Sequence, residues 1–102
     1  MSKTILQVNF QYSFPLAELH ALINGAAEPI AQTDGLLWKV WLLNEEQRTS
    51  GGIYLFANER AAQAYADGPI LSKLQQHPAI SGFSARLFGI VEEASKVTRA
   101  PL

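Results

Sequence analysis

The chain of 102 residues contains no cysteine. That excludes disulfides, thiolate nucleophiles and iron–sulfur ligation, and it accords with a reducing, cytoplasmic setting. No apolar run approaches the roughly eighteen to twenty residues that a membrane helix needs. Charge of one sign is scarce as well: eight Lys and Arg stand against nine Asp and Glu, a net charge of −1, with no basic cluster. Neither nucleic acid, whose phosphates demand a positive footprint, nor a membrane is an expected partner. Met1-Ser2-Lys3-Thr4 leads straight into a strand-like segment, so no secretory signal is expected.

Catalytic signatures are absent too. No serine stands in a G-x-S-x-G turn. Gly51-Gly52 precedes a strand rather than a helix, so it lacks the dipole that a phosphate loop exploits, and crowding at a hairpin exit accounts for it. His20 and His77 are not spaced as a metal pair, and no carboxylate cluster accompanies either. No bound metal, flavin or nicotinamide is therefore expected.

What the chain does have is apolar surface: 48% of its residues are apolar and 17% charged, a balance that suits one globular domain over residues 1–102 with a core of its own. Thr4 to Phe10 alternates as a strand, with Leu6, Val8 and Phe10 against Ile5, Gln7 and Asn9. Ser13 is the expected cap of a first helix, which carries Leu16, Leu19, Ile23, Ala26 and Ile30 and kinks or breaks at Pro29. Asp34-Gly35 is a turn. Leu36–Leu43 is a strand with Leu36, Trp38, Val40 and Leu42 on one face and Leu37, Lys39, Trp41 and Leu43 on the other. A polar hairpin loop precedes the next strand, Gly51–Ala57. Asn58 caps a second helix, interrupted at Asp67-Gly68-Pro69 and resumed from Ile70 to Gln76. A fourth strand covers about Phe83 to Val91, and the polar tail ends loosely or as a short helix.

The order is β-α-β-β-α-β. Right-handed crossovers make it an α+β, ferredoxin-like fold: a four-stranded antiparallel sheet with two helices on one face. The other face then has no cover within the chain, although three strands are apolar on both sides. Burying one large apolar side chain is worth about 1.5–3 kcal/mol, so a second copy packed sheet to sheet is the expected solution.

The aromatics admit two readings. Trp38 and Trp41 lie on opposite sheet faces, Tyr54 and Phe56 share one, and Tyr65 sits on the inner stripe of the second helix. They are core, or they wall a pocket for a flat aromatic ligand. Polar residues inside apolar strands are the other candidates. Lys39 is explained by edge protection as well as by function. Arg86 either snorkels to water or donates to a ligand. Asn9, on a strand that should be central, needs a partner from protein, water or ligand. His20, at the edge of the first helix's stripe, is either a surface residue or the chain's best general base. His77, before Pro78, is expected to face solvent.

Gly35-Leu36-Leu37-Trp38-Lys39-Val40-Trp41 followed by Gly51-Gly52-Ile53-Tyr54-Leu55-Phe56 resembles the signature of the YdhR-like monooxygenases, and Ala64-Tyr65 and Ala85-Arg86-Leu87-Phe88 fall where that family has similar residues. The resemblance implies the dimeric α/β-barrel superfamily, whose members include cofactor-independent oxygenases of quinol-like aromatics and haem-degrading enzymes. On that footing the expected function is oxidation of a small electron-rich aromatic without cofactor. His20, Arg86 and Tyr54 are the catalytic candidates, and Asn9, Trp38, Trp41, Tyr65 and Phe56 the candidates for binding substrate. The alternatives are a hydrophobic-ligand binding module without turnover, and a haem-handling enzyme with His20 or His77 as axial ligand.

Overall fold

Strand β1 (Thr4–Tyr12) is the centre of the molecule. In the structure, a computed structural model that describes residues 2–102, Leu6, Val8, Phe10 and Tyr12 all point to one side and all are buried. The chain start at Met1 lies outside the described residues. β1 pairs antiparallel with β3 (Thr49–Phe56) on one side and with β4 (Ile80–Phe88) on the other. β2 (Leu36–Asn44) closes the far edge, giving the order β2-β3-β1-β4. This is the ferredoxin-like arrangement expected from the sequence.

The helices α1 (Leu16–Ala31), α2 (Glu59–Ala66) and α3 (Pro69–Gln75) share the sheet face of the even-numbered β1 residues. Leu19 and Ile30 of α1, Ala62 and Tyr65 of α2, and Leu71 of α3 join Leu6, Val8, Tyr54 and Phe56 in one core. Asn58 caps α2 as expected, its Oδ1 accepting from the Ala61 amide at 2.8 Å. Asn58→Ala should cost about 1 kcal/mol of stability, read from the denaturant midpoint at unchanged slope.

Several boundaries differ from expectation for identifiable reasons. Ser13 does not cap α1. Its amide and hydroxyl both donate to the Ala79 carbonyl, at 3.0 and 3.4 Å, tying the end of β1 to the start of β4, and Pro15 takes the cap position. Pro29 does not break α1: it removes one donor near the end, while buried Ile30 holds the last turn and the Gln32 amide closes onto the Glu28 and Pro29 carbonyls. β4 starts at Ile80 because Gly82, at φ +59°, passes through a bulge opposite Phe10 rather than ending a loop. Val91 is exposed and leads into α4 (Glu92–Val97) instead of extending the strand. A register shift between Leu36 and Trp38 turns Leu36 to the helix side with the core, so it does not share a face with Trp38.

The outer face is not bare. Leu55 points away from the helices, stands outside the main core, and is 1% exposed. Its neighbour Trp38 donates from Nε1 to the Pro101 carbonyl at 2.7 Å. The C-terminal segment therefore returns to the β2 side of the outer face and covers one end of it. Val40 and Phe88 stay open on the same face, 52% and 47% exposed.

Candidate functional site

α1 stands off from the sheet. The gap is a cavity of about 470 Å³, walled by Val8, Phe10, Trp41 and Tyr54 from the sheet, by Leu19, Leu22 and Ile23 from α1, and by Leu71 and Leu74 from α3. It is apolar apart from a few groups, and those are placed with consequence.

Tyr54 and Tyr65 meet inside it. Their hydroxyls are 3.0 Å apart and their ring centroids 4.9 Å apart. Phe56 backs both rings, at 5.9 and 5.7 Å. Burial pushes both phenols up from their usual range, so both keep their protons near neutrality. Two hydroxyl protons share one mutual hydrogen bond. One O–H is left over to donate to a ligand.

Lys39 is the other group. β2 pairs it with Tyr54 on the helix side of the sheet. Its Nζ lies 3.2 Å above the Trp41 ring and 4.4 Å from the Tyr54 ring. Among the described residues no Asp or Glu lines the cavity. Burial lowers the ammonium from its ordinary 10.5 to about 7, so near neutrality the free amine is well populated. The sequence explained Lys39 equally by edge protection, but its side chain lies on the sheet's inner face. The signal that would have found it was its phase: it shares a face with Trp41, and the partner strand offers Gly52 there. A Cβ on Gly52 would come within 2.5 Å of the Lys39 Cε, so the missing side chain is what seats the lysine.

His77 also lines the cavity, half-buried rather than turned to solvent. Its ring meets Phe14 edge-on at 5.4 Å, and its Nδ1 accepts from the Ala79 amide at 3.0 Å, which leaves Nε2 for a ligand.

Of the residues the sequence singled out, Tyr54, Tyr65 and Trp41 meet in this cavity, with Phe56 directly behind. Three others stand on the opposite sheet face. Asn9 accepts from Gln7 Nε2 at 2.9 Å, so its amide partner is protein; Arg86, opposite Gln7, is exposed; Trp38 holds Pro101. His20 is on an exposed side of α1 and is not among the cavity's lining residues. Among the described residues no group of three or more His, Asp or Glu side chains is placed to hold a metal ion. Among them, too, no helix is long and apolar enough to cross a membrane.

A family model described as "Putative mono-oxygenase ydhR" matches residues 5–101. No curated protein matches the chain. Among solved structures, a protein of unknown function from Nitrosomonas europaea is 22% identical, with a TM-score of 0.68 over 89% of this chain and 91% of its own. SnoaB, a cofactor-independent oxygenase from Streptomyces nogalater, is 17% identical, with a TM-score of 0.68 over 86% and 92%. MhuD, a heme-degrader from Mycobacterium tuberculosis, is 21% identical, with a TM-score of 0.60 over 85% and 95%. At these identities the likeness is one of fold.

Proposed function

The chain belongs to the ydhR mono-oxygenase family, and from that premise we propose that it oxidises a small electron-rich aromatic, a phenol or quinol, with dioxygen inside the cavity between α1 and the sheet. The observation that carries the reading is the cavity itself: apolar, walled by Trp41, Tyr54 and Phe10, and holding one unpaired phenolic donor. A substrate of this class supplies its own electrons. When a phenol becomes a quinone, one oxygen atom enters the ring and the other leaves as water, so all four electrons taken up by dioxygen come from the substrate. The site must then exclude bulk water, orient a flat ring and donate to developing negative charge on oxygen. Trp41 and Tyr54 supply the wall, and the Tyr54–Tyr65 pair supplies the donor.

Oxygen uptake over a panel of quinols and catechols tests this. Single Tyr54→Phe or Tyr65→Phe changes each leave one hydroxyl free and should be tolerated. The double change removes the donor and should lower turnover roughly ten- to a thousandfold. Tight binding of a panel member without uptake would make the cavity a receptor rather than an enzyme.

The same reading has the protein working as a cytoplasmic homodimer. Val40 and Phe88, open on the outer face beside Asn9 and Arg86, support a second copy there. Sedimentation equilibrium at micromolar concentration should return twice the chain mass, and a clean monomer would remove this part of the proposal.

A further inference from the structure

Lys39 stands in the cavity between two aromatic rings, on a stem that lies across Gly52, and among the described residues no acidic side chain lines the cavity with it. A lysine placed there only for stability would be out of character: methionine would fill the same volume without the cost of burying an amine. The titratable groups that line the cavity with it are few. Tyr54 comes from β3, Tyr65 from α2, Lys73 from α3 and His77 from the turn after α3. α1 and β1 contribute only apolar side chains to the lining. Two amines and no carboxylate make this a place for an anion, and an apolar wall makes it a place for an anion carried on a hydrophobic body.

We propose that the cavity takes acidic hydroxyl compounds, phenols and enols, and holds them as anions on Lys39, the amine receiving the hydroxyl proton. The inference rests on reading this cavity as the substrate site. In the transfer an O–H bond breaks, an N–H bond forms, and no electron leaves either partner. The resulting ammonium sits against the Trp41 face and beside the new oxyanion, which accepts the spare O–H of the tyrosine pair. Ionising the hydroxyl raises the electron density of the bound ring, which is what a direct reaction with dioxygen requires.

The test is an anaerobic titration with 4-nitrophenol, followed through the visible band of its ionised form. On the wild-type protein the ionisation midpoint of the bound phenol should fall by about 1–3 pH units, the effect of an opposite charge ~4–6 Å away. Lys39→Met should still bind the phenol but leave its midpoint unmoved or raised, while circular dichroism shows the fold intact. Lys73→Met should keep most of the wild-type shift. An unshifted midpoint on the wild type, equal shifts in wild type and Lys39→Met, or failure of the phenol to bind would each overturn the proposal. A lowered midpoint without oxygen uptake from any quinol would leave it standing and remove the oxygenase reading instead.

Discussion

Raising the pH from 7 to 10 should stabilise this protein, by about 1–3 kcal/mol once partial solvent screening of Lys39 is discounted. Burial lowers its folded-state ammonium to about 7, whereas the unfolded chain ionises near 10.5. Between those values the unfolded state binds the extra proton, so unfolding becomes harder as pH rises. The penalty of burying the charge is full below pH 7 and gone above 10.5. The tyrosine pair then reverses the trend. Burial holds the Tyr54 and Tyr65 phenols above their ordinary 10, so their protons favour the folded state and that contribution drains away beyond pH 10. Urea unfolding across pH 6–12 should show a maximum near 10. Lys39→Met should flatten the rise from 7 to 10 while keeping the fall above it. A wild-type curve that declines from pH 7 upward would mean that Lys39 is solvated and charged.

Gly51→Ala should cost about 3–5 kcal/mol. Gly51 adopts φ +156°, and a Cβ there would strike the Val8 carbonyl oxygen on the central strand. Either β3 moves off β1 or the backbone takes up the strain, and overpacking and left-handed strain each cost about 1–3 kcal/mol. Gly52→Ala is a different experiment. Its Cβ meets chiefly the flexible end of Lys39, so the fold should lose only about 1 kcal/mol while the amine is displaced from the Trp41 face. The pH-dependent rise in stability should then shrink along with it. Thermal melts of the two variants at pH 7 and pH 10 separate these effects: equal losses in both would show that Gly52 does not seat the lysine.

The element order was legible because each segment carries one dominant period. β1 alternates without interruption, and Asn58 marks the start of α2 with a side chain that caps it. Alternation also separated Trp38 from Trp41 and put Tyr54 with Phe56. What alternation cannot say is which face the helices cover. Lys39 and Arg86 look alike in sequence, each a lone cation in an apolar strand; only the register across β2–β3–β1–β4 sends one into the cavity and the other outward. The two bulges were hidden for a related reason. A bulge near Leu37 or at Gly82 shows only when a partner strand supplies one residue against two. His77 joined the cavity through a contact with Phe14, sixty-three positions earlier, that no local pattern encodes. The tail looked merely polar because its attachment is a backbone carbonyl, a group every residue possesses.

The strand order also sets a timetable for synthesis. β2 and β3 are neighbours in sequence and can pair as soon as both have left the ribosome. β1 is made first yet sits between β3 and β4, and Ile5 meets Phe88, more than eighty residues later. Until the last strand emerges, one edge of the central strand has no ladder partner, and its Leu6, Val8 and Phe10 wait for a core that is still incomplete. The nascent chain is therefore most exposed to wrong pairing just before β4 emerges, and a ribosome stalled upstream of Ile80 presents an open, apolar sheet edge to other chains.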